Sequence, residues 1–433
     1  MKNKKMWFIL GGIVLALIII ISLVMIAIGN KDVTLKKEWN LSYGAEITPD
    51  MYEDEDMDFT EDDGDDSFVS IDKNKDGYIL VGTNGGAFDK QGIIEYYDLN
   101  GKIQWTKKYP NVDSNKWEVT SEFDDVLSVK DGYIVIGYED ADGPEFEENY
   151  RNAIIIKYDS NGNLSWSKKY NTLISSSNLS NNLFYDLIDI ISINEKYYIV
   201  GNLTEYLITQ EGEQISFDHD KQYGFIIELD ENGKEISFNK YREGSEFYSA
   251  KVVNNKITIN SLLGYEYINL DEYSYGTADG LGLLTFDGKS FSQIIKYAES
   301  DKGYGILYDS YKNFTYLDGV YYLVDPTTVG KIIAIDSEGN VKFSMHAEDG
   351  DALENYWLQD ITTDGKNIYV YSYYYNGFES DEMTDSAILV FDNKGNYNII
   401  DIDEQYYYQI LFKDNYLLLP GSENSFAKYK IDN

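Results

Sequence analysis

The chain has 433 residues, of which 75 are acidic and 36 are basic, so its formal net charge is −39. Cysteine is absent, which excludes disulfide bridges, thiolate metal sites and a cysteine nucleophile. Such a negative surface repels phosphates and argues against nucleic-acid binding, while a hydrophobic fraction of 43% is too high for a disordered acidic chain.

The first predicted element is a membrane-spanning helix. Residues Met6 to Gly29 carry no charge, and a helix of this length reaches about 36 Å, enough to cross a hydrocarbon core of about 30 Å. Lysines precede it and no acidic residue does, so the positive-inside rule predicts a cytoplasmic stretch 1–5, a signal-anchor helix 6–29 and an extracellular part 30–433. The alternative is a signal peptide cleaved near Ala27-Ile28-Gly29, which also leaves the remainder outside the cell.

A sequence repeat occupies the rest of the chain. Its clearest copy joins DGYIVIGYEDADG (Asp131 to Gly143) to AIIIKYDSNGNLSWSKKY (Ala153 to Tyr170), and seven copies align. Each copy holds four short runs rich in Val, Ile, Tyr and Leu and bounded by Gly, Asn and Asp, as is typical of β-strands. Four strands per unit, repeated around a ring, predict a β-propeller. One aspartate marks each unit: Asp98, Asp159, Asp230, Asp287, Asp336, Asp392 and Asp432.

The two chain ends are predicted to complete one blade together. The seventh unit stops at Asn433 before a fourth strand, whereas Lys36 to Tyr43 resembles the fourth strand of the first unit, Lys102 to Tyr109. Residues Val33 to Tyr43 are therefore predicted to pair with the C-terminal strands and to close an all-β, seven-bladed propeller. Because the fourth unit (Asn255 to Tyr297) is weak, six or eight blades stay open as alternatives.

The repeat resembles a known group of propellers. The pattern D-G-Y-I-V-x-G followed by A-I-I-I-K-Y-D-S-N-G-N-L-S-W-S-K-K-Y is similar to the β-propeller repeats of bacterial surface proteins in the pyrroloquinoline-quinone-like (PQQ-like) group, and the similarity covers Val33 to Asn433. Quinone-dependent dehydrogenases of the broader group usually carry adjacent cysteines beside the cofactor, and this chain has none. The resemblance therefore implies a non-catalytic propeller without the quinone, of the type that serves as a binding platform.

One face of the ring is predicted to bind a partner. With the strands of a blade named a to d in chain order, the d–a and b–c connections emerge on the same face. The long segments of this chain fall at those connections, and loops on one face of a repeat scaffold commonly bind. They are the d–a segments 50–66, 171–184 and 348–356 and the b–c segments 139–151, 204–223 and 373–385.

Two tyrosine triplets lie on or near this predicted binding face. Flat amphipathic rings beside carboxylates suit stacking on sugars or gripping a peptide, so the triplets are candidate ligand-binding residues. The alternative is packing in the core or at a strand edge, since successive residues of a strand point to opposite sides. The six residues are Tyr373, Tyr374, Tyr375, Tyr406, Tyr407 and Tyr408.

One turn matches the start of a calcium-binding loop. In the sequence DKNKDG, the candidate ligands of a structural calcium ion are Asp72, Asn74 and Asp76. An EF-hand is excluded, because its twelfth position is Thr83. The alternative is a plain a–b turn, since other units have a turn at the same place.

The sequence shows no catalytic motif. The two histidines, His219 in a predicted loop and His346 after a predicted strand, are too few for a three-histidine metal centre, and no G-x-S-x-G or glycine-rich phosphate loop occurs. We therefore predict a membrane-anchored, extracellular, non-catalytic propeller that binds a surface protein or a polysaccharide. The alternatives are an extracellular glycan-active enzyme that uses carboxylates and an accessory subunit of a cell-envelope complex.

Overall fold

The computed structural model describes residues 33–42, 67–85, 90–109, 119–142, 149–173, 182–211, 214–264, 266–270, 273–277, 280–299, 313–326, 330–345, 353, 355–374, 385–402, 405–422 and 425–432. The regular elements of these residues are β-strands, and none of them is a helix long and apolar enough to cross a membrane. The predicted membrane helix 6–29 and the acidic segment 50–66 lie outside the described residues.

The described strands form seven four-stranded antiparallel sheets and one two-stranded sheet, and we number the four-stranded sheets as blades 1 to 7. Strand β1 (Thr34–Ser42) comes first in the chain and belongs to blade 7. The strands of blade 1 are β2 (Ser67–Lys73), β3 (Gly77–Asn84), β4 (Gln91–Asp98) and β5 (Ile103–Tyr109). The strands of blade 2 are β6 (Val119–Val129), β7 (Gly132–Asp142), β8 (Asn149–Asp159) and β9 (Leu164–Leu173). The strands of blade 3 are β10 (Asn182–Ile193), β11 (Lys196–Glu211), β12 (Gln214–Leu229) and β13 (Glu235–Glu243).

The remaining four blades follow in chain order. The strands of blade 4 are β14 (Ser245–Val253), β15 (Lys256–Leu263), β18 (Gly280–Phe286) and β19 (Phe291–Glu299), with the two-stranded sheet β16 (Glu266–Leu270) and β17 (Tyr273–Thr277) inserted. The strands of blade 5 are β20 (Asn313–Leu317), β21 (Val320–Asp325), β22 (Lys331–Asp336) and β23 (Val341–Met345). The strands of blade 6 are β24 (Tyr356–Thr363), β25 (Ile368–Tyr374), β26 (Asp385–Phe391) and β27 (Tyr397–Asp401). The strands of blade 7 are β28 (Leu411–Lys413), β29 (Tyr416–Gly421), β30 (Ser425–Asp432) and β1.

The first strands of the blades form the inner wall of a closed ring. Each first strand contacts the first strand of the next blade, and β28 of blade 7 contacts β2 of blade 1. Strands b and c are buried between neighbouring blades, whereas the fourth strands are the outer edges, as the alternating exposure of β5 illustrates. The predicted seven-bladed propeller is therefore confirmed, and six or eight blades are excluded.

The c–d hairpins are held by an aspartate that caps its own turn. In blade 2, Asp159 Oδ1 accepts hydrogen bonds from the backbone N–H groups of Asn161 (2.9 Å) and Asn163 (2.8 Å). Gly162 takes a φ of 76°, and its N–H donates to the Asp159 carbonyl oxygen at 3.0 Å. The same capping recurs at Asp98, Asp230, Asp336 and Asp392. The repeated aspartate and glycine thus set the register of these five hairpins.

Neighbouring blades meet where the glycine of a c–d turn lies against an aromatic ring of the preceding blade. A Cβ added at Gly162 of blade 2 would lie 2.9 Å from Cδ2 of Trp105 in blade 1. The equivalent pair of blades 3 and 2 is Gly233 with Trp166, where the added Cβ would lie 2.6 Å from Cδ2. The tryptophans of the repeated IQWTKKY and LSWSKKY sequences thus pack against the c–d turn of the next blade. This turn needs glycine, because the Cβ of any other residue would clash with the ring.

The chain ends close the ring as predicted. Strand β1 pairs antiparallel with β30, from Thr34 opposite Asp432 to Ser42 opposite Ser425. The N-terminal strand is therefore strand d of blade 7, and it covers the edge that β30 would otherwise present.

Side chains fix this closing strand to the rest of blade 7 and to blade 1. The ring centroid of Trp39 lies 4.7 Å from that of Phe426 in blade 7 and 5.8 Å from that of Tyr78 in blade 1. The buried ammonium of Lys428 lies 3.0 Å from Oε2 of Glu38. The closing strand is thus held by backbone pairing, aromatic packing and an ion pair together.

Two predicted loops are partly strand, which corrects the sequence interpretation. Residues 204–223 were expected to be a b–c loop carrying His219, but β11 and β12 continue as a hairpin in which His219 pairs with Tyr206. In the segment 139–151, β7 and β8 likewise extend the sheet. In the segment 204–223, β-branched and aromatic residues on both strands favour pairing, and this outweighs the polar composition of the segment.

Deleting residues 1–42 should abolish cooperative unfolding of the propeller, because the edge of β30 loses its partner and Phe426 loses its cover. Deleting residues 1–32 is the control, since it leaves β1 in place, and its melting curve should match that of the full chain. A synthetic peptide of residues 33–42 should restore cooperative melting to the longer deletion. Identical thermal melting of the two deletions, followed by circular dichroism, would refute closure by β1.

Replacing Gly162 by alanine should destabilise the domain by about 2–3 kcal/mol, since the new Cβ combines a positive φ with a clash against Trp105. Gly365→Ala is the matched control, because Gly365 has a φ of 86° but no heavy atom within 4 Å of an added Cβ. This control should cost only about 1 kcal/mol. Equal losses in urea unfolding would show that the contact between the blades contributes nothing.

Candidate functional site

A belt of polar side chains lines the inner wall at one level of the ring. Five inner strands carry a register shift just before this level, in β2, β6, β10, β14 and β24. The residue that follows the shift is polar, and it precedes an apolar residue that packs between blades. In order of blades 1 to 7, the belt residues are Ser70, Asp125, Asp189, Ser249, Asn313, Asp360 and Gln409.

The belt side chains bind the backbone of the next blade. Asp125 Oδ2 accepts a hydrogen bond from the N–H of Ile190 at 3.0 Å, and Asp189 Oδ2 accepts one from Ala250 at 2.5 Å. Asp360 Oδ2 accepts one from Ile410 at 2.9 Å. These bonds join blades 2 to 3, 3 to 4 and 6 to 7.

Three further belt residues, which are uncharged, also form hydrogen bonds to a neighbouring blade. Gln409 Oε1 accepts a hydrogen bond from the N–H of Ile71 at 3.0 Å, which joins blade 7 to blade 1. Ser70 Oγ donates to Asp125 Oδ1 at 2.6 Å, and Asn313 Nδ2 donates to the Gln359 carbonyl oxygen at 2.8 Å. The belt side chains therefore connect successive blades through hydrogen bonds, and the bonds to charged acceptors are the strongest.

One lysine crosses the ring at this level. Lys251 of blade 4 donates from Nζ to the carbonyl oxygen of Ile361 in blade 6, at 3.2 Å, and so bypasses blade 5. Its charge lowers the pKa of Asp189 and Asp360, which partly offsets the effect of their burial. Lys251 thus neutralises part of the carboxylate charge in the channel.

The channel carboxyl groups are hard to ionise. Asp125 and Asp189 lie deep in the molecule yet keep partial contact with solvent, as expected for residues that line a narrow channel. Burial raises the pKa of Asp125 to about 6 and also raises the pKa of Asp189, where the charge of Asp125 adds to the effect. Burial likewise raises the pKa of Asp360. Asp125 therefore takes up a proton in mildly acidic solution, and the pKa shifts of Asp189 and Asp360 have the same direction and the same main cause.

Three of the six predicted tyrosines form one cluster, and the other three lie elsewhere. Tyr373, Tyr406 and Tyr408 come together with Trp357, which the sequence analysis missed. Ring centroids are 6.1 Å apart for Trp357 and Tyr373, which stack, 5.3 Å for Tyr373 and Tyr406, and 5.0 Å for Tyr406 and Tyr408. We call these four residues the aromatic wall; they belong to blades 6 and 7, at the channel end that bears the d–a connections. Tyr408 is 39% exposed.

The other three predicted tyrosines lie elsewhere. Tyr407 is fully buried in the core of blades 6 and 7, where its N–H bonds to the hydroxyl of Tyr371. Tyr374 packs edge-on against Tyr356 with centroids 5.4 Å apart. Tyr375 lies outside the described residues. Alternation along the strand explains the separation, since Tyr373 and Tyr374 face opposite sides of the sheet.

An acidic cluster occupies the same end of the channel on the opposite side of the ring. It consists of Glu122 and Asp124 at the start of β6 and Asp186 on β10, around Arg151 of β8. Burial raises the pKa of Asp124 well above its usual value, and the charges of Asp186 and Glu122 add to the rise. The guanidinium of Arg151 stacks on Tyr138, with Cζ 3.5 Å from the ring centroid. We call the three carboxylates and Arg151 the acidic wall; its net charge is negative when all groups are ionised.

Two of the three predicted calcium ligands, Asn74 and Asp72, already accept hydrogen bonds within the protein. Asn74 Oδ1 accepts from the N–H groups of Asp76 (2.8 Å) and Gly77 (2.9 Å), and Asp72 Oδ2 accepts from the N–H of Ser128 at 2.7 Å. In the part of the chain that the structure describes, no three His, Asp or Glu side chains group as metal ligands do. Calcium binding stays a prediction, and the turn has its own hydrogen bonds without an ion.

The sequence analysis missed the channel residues because carboxylates are common in this chain. A signal was nevertheless present, since the inner strands repeat Phe or Leu, any residue, Asp or Ser, and an apolar residue. Examples are Phe123-Asp124-Asp125-Val126 and Leu187-Ile188-Asp189-Ile190. Aligning the first strands rather than the later ones would have singled out Asp125, Asp189 and Asp360.

These strands define the protein as a seven-bladed β-propeller. No protein-family model matches the sequence, and a comparison with curated proteins finds no match. Solved structures that are similar include BamB from Moraxella catarrhalis (12% identity, TM-score 0.44, covering 92% of this chain and 100% of that one). Virginiamycin B lyase from Staphylococcus aureus is also similar (12% identity, TM-score 0.48, covering 92% and 99%). A third is the apocarotenoid oxygenase of Synechocystis (11% identity, TM-score 0.39, covering 77% and 71%). At such low similarity, these neighbours say nothing about what this chain binds or catalyses.

Replacing Asp125 by asparagine should flatten the pH dependence of stability. The folded pKa of about 6 exceeds the unfolded value of about 3.9, so the native state binds more protons and loses stability as pH rises between these values. The full chain should therefore melt at a lower temperature at about pH 7.5 than at about pH 5. The Asp125→Asn variant should show a smaller difference, and its side-chain amide oxygen can still accept the hydrogen bond from the Ile190 N–H. The exposed Glu338→Gln is the control; equal slopes in all three proteins would contradict the raised pKa.

Proposed function

We propose that this chain is a membrane-anchored extracellular propeller that acts as a non-catalytic binding platform for a polysaccharide or a surface protein. The predicted helix 6–29 supplies the anchor in this proposal, and the described propeller supplies the binding face. The observation that carries the proposal is the pairing of an aromatic wall with an acidic wall at one end of the channel.

The two walls have complementary chemistry for a polar ligand. Trp357 and Tyr408 offer flat rings on which the apolar face of a sugar or an aliphatic side chain can rest. Across the channel, Asp124 and Asp186 offer carboxyl groups that can form hydrogen bonds with the hydroxyl groups of a ligand. A polysaccharide carries both features within one residue, which makes it the preferred ligand, and a basic surface peptide is the second candidate.

Three carboxyl groups of the channel are unsuited to act as a general acid. A general acid needs a carboxyl group with a raised pKa that is free to approach the substrate. Asp125, Asp189 and Asp360 have raised pKa values, but each also accepts a backbone N–H from the next blade. These bonds commit the carboxyl groups to joining blades.

Replacing Tyr408 by alanine should weaken ligand binding by about tenfold or more, because one exposed stacking ring is removed while the core is unchanged. Binding would be found with a glycan array and a panel of basic peptides, then quantified by calorimetry. Leu99→Ala is the control; Leu99 is 42% exposed in a c–d turn, on the opposite face. Equal affinity of the Tyr408 variant would rule out the aromatic wall, and release of shortened glycans would contradict a non-catalytic platform.

A further inference from the structure

Three of the c–d turns contain an asparagine that is followed by glycine. The pairs are Asn100-Gly101 in blade 1, Asn161-Gly162 in blade 2 and Asn232-Gly233 in blade 3. This dipeptide is prone to deamidation, because glycine has no side chain that shields its backbone nitrogen from the neighbouring carboxamide. All three asparagines are exposed to water, so burial does not protect them.

Deamidation of such a pair begins within the chain. The backbone nitrogen of the glycine attacks Cγ of the asparagine, and a cyclic succinimide forms. The carboxamide nitrogen leaves as ammonia and takes the proton of the glycine N–H with it. Water then opens the ring to aspartate or to isoaspartate. The first step therefore needs a glycine N–H that can lose its proton and a peptide unit that can turn this nitrogen towards Cγ.

The capped turn of blade 2 opposes both requirements. The N–H of Gly162 already donates a hydrogen bond to the carbonyl oxygen of Asp159, at 3.0 Å. Asp159 Oδ1 accepts hydrogen bonds from the N–H groups of Asn161 at 2.9 Å and Asn163 at 2.8 Å. The peptide unit between Asn161 and Gly162 is thus held on both sides. Turning its nitrogen towards the Asn161 side chain would break the bond from Gly162 and strain the other two.

The pairs in blades 1 and 3 are held in the same way. The N–H of Gly101 donates to the carbonyl oxygen of Asp98, and the N–H of Gly233 donates to that of Asp230, both at 3.0 Å. The side chains of these two aspartates also accept the N–H groups of their turns. Each exposed Asn-Gly pair in a described c–d turn is therefore combined with a capping aspartate.

We propose that Asp98, Asp159 and Asp230 protect the Asn-Gly pairs of their turns from deamidation. The three turns are modification sites that the fold keeps in an unreactive geometry. Isoaspartate at position 161 would add a carbon atom to the main chain and displace Gly162, which packs against Trp105 of the preceding blade. Protection of this turn therefore preserves the contact between blades 1 and 2.

Removing one cap tests the proposal within a single molecule. Asp159→Ala takes away the acceptor of two N–H groups, and Asp159→Asn is the matched control because its amide oxygen can still accept them. The full chain and both variants are aged in mildly alkaline buffer at physiological temperature. Deamidation at each asparagine is then measured by mass spectrometry of tryptic peptides, and isoaspartate is separated by chromatography.

In Asp159→Ala, Asn161 should deamidate at least about tenfold faster than in the full chain, because two hydrogen bonds to a charged acceptor no longer hold the turn closed. Asn100 and Asn232 should keep their rates. In Asp159→Asn, the rate at Asn161 should stay within about twofold of that in the full chain. An unchanged rate at Asn161 in the alanine variant would overturn the proposal.

Asp98→Ala is the second variant, measured at Asn100 with Asn161 as the internal reference. It should accelerate deamidation at Asn100 alone. Rates that rise equally at all three asparagines in both alanine variants would also overturn the proposal, since folding of the whole domain rather than the local cap would then limit the reaction. None of these outcomes depends on the ligand of the proposed function.

Discussion

The pairing of β1 with β30 is the constraint on which the rest of this structure depends. Among the described residues, contacts between blades lie mainly between neighbours, so the ring depends on its closure rather than on one shared core. The strand from the N-terminus completes blade 7, and Trp39 reaches from it to Tyr78 in blade 1. One strand therefore determines whether the ends of the chain form a closed ring or two open edges. It also fixes where anything preceding residue 33 leaves the propeller.

On the inner wall of the ring, the belt of polar residues also joins neighbouring blades. Burying a carboxylate in a narrow channel costs free energy. This cost is partly offset because the carboxylate accepts a hydrogen bond from a backbone N–H of the next inner strand, as Asp125 does from Ile190. Lys251 supplies one compensating charge from across the ring. At this level of the channel, the polar side chains therefore serve to hold neighbouring blades together. The proposed function instead uses the end of the channel, with Trp357 and Tyr408 in blades 6 and 7 and Asp124 and Asp186 in blades 2 and 3.

The sequence predicted the fold well because its signals are local. Strand composition, the capping aspartates and the similarity of Lys36–Tyr43 to Lys102–Tyr109 each concern a few adjacent residues, and together they specify the ring. The candidate site was predicted only in part, since it depends on which blades become neighbours. Tyr373 and Tyr406 meet because blades 6 and 7 adjoin, whereas Tyr407 turns into the core. The pairing of Tyr206 with His219 was missed because the polar residues of the segment 204–223 favour a loop.

The lysines of the outer strands raise a question that edge protection alone does not answer. Lysine on an outer strand blocks pairing with another chain, and every blade of a propeller has one such edge. If protection were the sole cause, lysine should be spread over all seven outer strands. Strand β27 has none, whereas β5 and β9 have two each. The surplus falls on the blades beside the N-terminal strand. Edge protection therefore accounts for the presence of lysine on the outer strands but not for its surplus beside the N-terminal strand.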